Sequence, residues 1–345
     1  MAEKMRATAL YGPSDLRVEE FDVPKLGPHE VLVKVVADGV CPSGVHAVRN
    51  GVQWGPPGVK MPGFPGHEFS GDVVEVGDSV EKIKVGDRVV SDLILRCGRC
   101  YYCRTGRQNL CVAKGRLGYY SWAEYIKTID YQTYKISDDT SYEEAAFTEP
   151  LACALHGNLR ANIPPGGNVV IIGAGPMGLL HLQLAKNLSG ARVIISDLVD
   201  GRLKIAKSLG ADEASKPNEG LTEKVMEISE GRGADSVIVT VGNPKVQEES
   251  IKLVASGGTV LIFAGIHTLG EPATTINPNK IHYGDVDLRG SFDKTADEFV
   301  RALKLIELGV VDTKPLVTHR FSLDEVMKAI DAAEKLEGLK VMIRP

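Results

Sequence analysis

The chain has 345 residues, about two domains' worth at roughly 150 residues each. Hydrophobic residues make up 43% and charged residues 25%, an ordinary globular balance that argues against wholesale disorder. A net charge of −5 gives no basic excess to attract nucleic acid or an anionic membrane, and the apolar runs at 169–172 and 260–265 are far too short to span a bilayer.

The opening residues, 1–10, hold no apolar run long enough for an export signal, so the cytoplasm is the expected compartment. Up to about Asp130 the chain reads as short β-like runs broken by Gly and Pro, at 31–36, 70–76, 88–90 and 123–127. A helical segment from Leu151 to Ala161 leads into Pro164-Pro165-Gly166-Gly167, which reads as an inter-domain joint. Beyond it strands (168–172, 192–196, 236–240, 259–263) alternate with helices (176–188, 202–209, 247–253). Such alternation predicts an α/β domain with a parallel, doubly wound sheet. After 287–290 come two amphipathic helices, near 296–308 and 323–336, and a last strand at 340–344.

Gly173-Ala174-Gly175-Pro176-Met177-Gly178 follows an apolar strand and opens a helix. The first Gly makes the turn, the second lets backbone approach a pyrophosphate, and the third lets helix pack on strand. The free N–H groups of the helix start would face the phosphates. Asp197, closing the second strand, would hydrogen-bond the ribose hydroxyls and repel a 2′-phosphate, which favours NAD over NADP. Arg202, in the next helix, would flank the adenosine ribose.

Six cysteines are present, and four of them crowd into Cys97, Cys100, Cys103 and Cys111. Four thiolates at short spacings match the tetrahedral demand of structural zinc, and the spacing lacks the ferredoxin iron–sulfur patterns. With every position filled by sulfur, this metal would stabilise a lobe over 95–113 and leave no place for substrate. Cys41 and Cys153 stand apart, Cys153 as a buried small residue. Cys41 and His67 are good zinc ligands able to converge, and Glu68 and Glu149 offer carboxylate oxygens. Taken alone, Glu149-Pro150 is also good chemistry for a helix start, Ser43 suits a turn and His46 a surface position. His29, His156, His181, His267, His282 and His319 have no motif around them and read as structural.

Gly66-His67-Glu68-x2-Gly71-x5-Gly77-x2-Val80 resembles the signature of zinc-containing medium-chain alcohol dehydrogenases. Cys41-Pro42-Ser43-Gly44-Val45-His46 lies upstream, and the cysteine lobe and dinucleotide fingerprint follow in that family's order. Glu149-Pro150-Leu151 is similar to the sorbitol (polyol) dehydrogenase branch. The resemblance spans essentially the whole chain. It implies a mostly-β, GroES-like catalytic domain over 1–153, a Rossmann domain over 154–291, and a segment over 292–345 that returns to the catalytic domain.

It further implies a catalytic zinc held by Cys41 and His67, with Glu68, Glu149 or both ligating directly or through water. Ser43 would contact the alcohol and His46 would pass its proton to solvent. Ala264, Gly265, Ser291 and Phe292 would join the cofactor site. The family usually carries an Asp after the Ser or Thr, to orient the ligating histidine, where this chain has Gly44. Gly118–Trp122 and Gly290-Ser291-Phe292-Asp293-Lys294 also depart from the sorbitol enzymes. The expected activity is reversible oxidation of a secondary hydroxyl in a polyol, sugar or related small alcohol with NAD. Threonine-like amino alcohols and sugar phosphates are the alternative substrates, and a non-enzymatic NAD-binding protein is a rival of another class. The resemblance implies a homodimer or homotetramer, assembled through an edge strand near 260–264.

Overall fold

The computed structural model describes residues 3–52, 60–266, 273–335 and 338–345. Strands β1 (Lys4–Gly12), β2 (Asp15–Asp22), β3 (Glu30–Gly39), β4 (Phe69–Val76), β5 (Arg88–Ser91), β6 (Tyr125–Ile129) and β7 (Thr133–Lys135) come first. Then follow β8 (Asn168–Ile172), β9 (Arg192–Ser196), β10 (Glu213–Ser215), β11 (Ala234–Val239), β12 (Val254–Ile262) and β13 (Asp287–Gly290), and last β14 (Val317–Ser322) and β15 (Lys340–Arg344). Two compact units result. One holds 1–152, 295–309 and 313–345, the other 153–294 and 310–312. The division therefore falls inside helix Thr148–Ala161 and not at Pro164–Gly167, which forms a turn inside the second unit. Among the described residues, no helix is long and apolar enough to cross a membrane.

In the first unit a seven-stranded sheet runs β14-β15-β3-β4-β5-β7, with β6 also paired to β3. Its core is built by β-branched residues of the central strands (Val31, Val33, Val35, Val73, Val89) with Phe69 and Ile126. A second cluster joins Val45 and Val48 of helix Pro42–Asn50 to Phe64, Trp122, Ile330 and Ile343. The C-terminal strand β15 lies antiparallel to β3, pairing Met342 with Gly39 and Ile343 with Asp38. The helix expected over 323–336 begins as a 3₁₀ turn at Leu323–Glu325 and is α-helical over Val326–Glu334; Leu336 and His267 lie outside the described residues.

The second unit is a six-stranded sheet in the order β10-β9-β8-β11-β12-β13, parallel throughout. Strand β8 is buried from Val169 to Ile172, as a parallel strand covered on both faces must be. The edge expected near 260–264 is not an edge. Asp287–Gly290 pairs with Thr259–Ile262 and covers it, so β13 is the outer strand. Those four residues, half polar and short, gave too weak an alternation to mark a strand.

His181, on helix Pro176–Ser189, is fully buried and edge-on to Phe263, with ring centroids 4.6 Å apart. Burial pushes its pKa down to about 3. Unfolded chain takes up a proton at this imidazole below its ordinary value of about 6.5, whereas the folded chain does so only near pH 3. Acidification across that interval therefore favours unfolding, by up to about 1.4 kcal/mol per pH unit. Urea unfolding followed at pH 6.5 and pH 5 is expected to show a larger loss of stability in the parent chain than in His181→Leu. Equal losses would mean that the imidazole is already protonated in the folded state.

Candidate functional site

Strand β3 ends at Gly39, and Cys41 serves as the N-cap of helix Pro42–Asn50, with Pro42 in its first turn. His67 and Glu68 directly precede β4, which pairs with β3. The sheet register thus folds back two stretches some 26 residues apart, and one ligand atom from each of Cys41, His67 and Glu68 lies within 4.8 Å of the other two. Burial alone would lower the His67 pKa, but the hydrogen bond and charge of Cys41, with the charges of Glu149 and Glu68, raise it to about 9. Cys41, Glu68 and Glu149 thus gather anionic side-chain chemistry around one imidazole, an environment that favours a cation. The mixed sulfur, nitrogen and oxygen set suits zinc.

The His67 ring is held from behind by the Pro65 carbonyl, 2.8 Å from Nδ1, the kind of second contact that orients a metal-binding imidazole. The orienting role expected of an Asp after Ser43 therefore falls to backbone. Gly44 is also required sterically, because a Cβ there would sit 2.9 Å from Pro65 Cγ. Ser43 Oγ lies 3.0 Å from Cys41 Sγ, and His46, half-buried, is on the same helix face one turn on. Glu149, half-buried in the first turn of helix Thr148–Ala161, acts on His67 and Lys340 through its charge. Its carboxylate does not join the converging set of Cys41, His67 and Glu68.

Two charged residues of this site were not anticipated. Lys340 opens β15 and forms a buried ion pair with Glu68, the two side chains being 5% and 2% exposed. Burial would lower the lysine pKa, but the charges of Glu68, Cys41 and Glu149 raise it. The pair packs directly against Gly39. A Cβ there would collide with both Glu68 Oε2 and Lys340 Cε. A lone lysine opening an apolar final strand was the available signal. Asp38, fully buried on β3, carried no such mark.

The four-cysteine lobe holds only short helical turns, Tyr101–Arg104 and Gln108–Leu110. It is anchored at its base by a buried Arg96–Asp92 pair and the Leu95–Gly115 bridge. Its four sulfurs lie within 4.8 Å of one another. Cys97 and Cys111 sulfurs are 3.5 Å apart, near the roughly 3.8 Å edge of a zinc tetrahedron with 2.3 Å bonds and far from a disulfide bond. Backbone groups of Cys103 and Val112 pull Cys100 down to about 6, while burial and neighbouring thiols push Cys103 up to about 12. Four thiols this close cannot all ionise without a cation between them. Cys153, by contrast, is half-buried instead of buried.

In the second unit, Gly173 has φ 104°, a turn that only glycine makes without strain, and Gly175 caps helix Pro176–Ser189. A Cβ on Gly178 would strike the Gly173 carbonyl, so the third glycine is needed for the helix to start so close to the turn. Pro176 and Met177 form the first turn behind it. Asp197 uses its carboxylate on the loop itself, accepting the Ala174 N–H at 2.7 Å and the Val199 N–H at 2.9 Å. Each oxygen keeps a further lone pair. Arg202 Nη1 lies 3.9 Å from Asp197 Oδ2. Ala264, Gly265, Ser291 and Phe292 follow the carboxyl ends of β12 and β13, where open α/β sheets bind ligands. Phe292 is exposed, whereas the Ser291 hydroxyl is buried without a hydrogen-bond partner among the described residues.

The family profiles for the alcohol dehydrogenase GroES-like domain and for zinc-binding dehydrogenase match residues 27–138 and 176–307. Sorbitol dehydrogenase of Bacillus subtilis is 34% identical over 99% of this chain and 98% of its own length. The Bos taurus sorbitol dehydrogenase is 33% identical over 97% and 94%. Among solved structures, a zinc-binding dehydrogenase from Sinorhizobium meliloti 1021 bound to NADP superposes with TM-score 0.90 at 33% identity, covering both chains fully. The 2R,3R-butanediol dehydrogenase of Bacillus subtilis gives 0.85 at 29% identity over 99% of each chain. With near-complete coverage, two metal-compatible donor sets and a dinucleotide-type sheet, this chain belongs to the zinc-containing medium-chain alcohol dehydrogenase family, in its sorbitol dehydrogenase branch.

Proposed function

We propose that the protein reversibly oxidises a secondary hydroxyl of a polyol, sugar or related small alcohol to a ketone, with NAD as acceptor. The observation that carries this reading is the convergence of Cys41, His67 and Glu68 donor atoms within 4.8 Å of one another. A three-residue set leaves a tetrahedral metal one position for substrate, unlike the closed set of four cysteines. When bound, zinc supplies the Lewis acidity that eases loss of the alcohol proton, and the nicotinamide supplies the hydride acceptor.

The chain's own residues bind, orient and carry the proton. Cys41 and His67 would hold the metal, with Glu68, Glu149 or both adding oxygen directly or through water. Ser43, beside Cys41, contacts the substrate hydroxyl, and His46 delivers the released proton to solvent. In the second unit the turn 173–178 cradles the pyrophosphate and Asp197 sets its negative charge against a 2′-phosphate. Arg202, Ala264, Gly265, Ser291 and Phe292 complete the cofactor site. Assembly as a homodimer or homotetramer and a cytoplasmic location belong to the same reading.

A polyol panel run with NAD and then NADP tests the activity, alongside zinc content. Turnover on at least one polyol, two zinc ions per chain and a rate with NADP at least about tenfold lower are expected, tenfold corresponding to about 1.4 kcal/mol. A single tightly held zinc and no turnover on any alcohol would sink the enzymatic reading, and equal rates with both cofactors would remove the role of Asp197.

Lys340→Met tests the place of Glu68. Without zinc, the variant leaves a buried carboxylate unpaired, a loss of about 3–5 kcal/mol. Thermal melts of zinc-stripped and zinc-reloaded protein should therefore show a larger recovery on reloading for the variant than for the parent. The same melting deficit in both states would place Glu68 out of reach of the metal.

A further inference from the structure

We propose that Asp38 is a positioning residue for the turn Gly66–Glu68, holding His67 and Glu68 where one metal can share them with Cys41; the inference rests on reading that trio as a zinc site. Asp38 sits on β3, three residues before Cys41, and is fully buried. Its Oδ1 accepts the Glu68 N–H at 3.1 Å. Beside it the Gly39 N–H donates to the Glu68 carbonyl at 2.8 Å, so residue 68 is gripped from both of its backbone groups by consecutive residues of one strand.

The second oxygen, Oδ2, has no hydrogen-bond partner among the described residues. It points at the turn itself. A Cβ on Gly66 would come within 2.8 Å of it and would also collide with Trp122. Gly66 is thus the residue that admits the carboxylate beneath the metal-binding turn.

Such a placement is costly. Full burial of a carboxylate with one oxygen unpaired disfavours its ionised form. A threonine could fill the space on a strand at far lower desolvation cost. Helix Pro42–Asn50 supplies no carboxylate to this turn, because Gly44 packs on Pro65 without a side chain. The Pro65 carbonyl sets the plane of the imidazole, and Asp38 sets the backbone that carries it. Nothing else among the described residues accepts the Glu68 N–H.

The test uses the full chain and its Asp38→Val and Asp38→Asn variants. Zinc affinity is read by competition with a chromophoric chelator, which separates the four-cysteine ion from the second one. Asp38→Val is expected to bind the second zinc about 10–100-fold more weakly, with the four-cysteine zinc unchanged. Asp38→Asn, whose side-chain carbonyl can accept the Glu68 N–H, should recover most of that loss. In cobalt-substituted protein the visible bands of the second site, which report ligand geometry, should shift in Asp38→Val and return in Asp38→Asn.

If Asp38→Val does not fold, Asp38→Ala takes its place with the same expectations. Unchanged affinity in the apolar variant, or an Asn variant as weak as the apolar one, overturns the proposal. A parent chain holding only the four-cysteine zinc would overturn it together with the zinc-site reading, and that failure is recognised because it is already present without any substitution.

Discussion

The ion pair between Lys340 and Glu68 ties the last strand of the chain to the centre of the first unit. Its energetics are demanding. Two charges with almost no solvent contact cost several kcal/mol each to desolvate, and their mutual attraction repays this only with good geometry and further charges nearby. Cys41 and Glu149 reinforce the lysine electrostatically. The lysine therefore belongs to the electrostatics of the site and not to surface decoration. β15 must be inserted beside β3 for the donor set to be balanced, so about 300 residues of chain separate the two halves of one charge cluster.

The two sulfur-bearing sites solve different problems with the same element. In the lobe, four cysteines replace a hydrophobic core. Little else there is buried apart from Cys103, Cys111 and Asn109, so the folding energy must come from the metal. At the second site a single cysteine shares the task with an imidazole and a carboxylate, and the scaffold is a sheet with its own apolar core. Rigid strands on either side set the donors without consuming every coordination position. A closed site and an open one follow from where the supporting energy comes from.

In the second unit Asp197 does two things with one carboxylate. It anchors the Ala174 and Val199 amides, and so fixes the shape of the glycine turn, while keeping lone pairs and a negative charge at the end of β9. The acid at the end of β9 thus has a structural duty toward the glycine turn, and its loss would disturb the turn itself.

Local order was written plainly in the residues. The apolar run at 168–172, the glycine spacing that follows it and the four clustered cysteines each involve neighbours in the chain, so their periodicity and chemistry could be read directly. Cys41 with His67-Glu68 was legible as a pattern of suitable ligand types, though their meeting depends on the β3–β4 register. What escaped were short polar strands such as β13, and residues whose meaning is set by distant partners. Asp38 looks like an ordinary strand residue, and the lysine opening an apolar strand has no visible partner, until β15 pairs with β3 and Glu68 meets both. Glu149 matched the expected type of ligand but stands outside the converging set. Whether a charged side chain is solvated or buried beside a metal-type cluster depends on contacts between segments hundreds of residues apart. Desolvation is a property of the packed interior, and only the tertiary structure decides it.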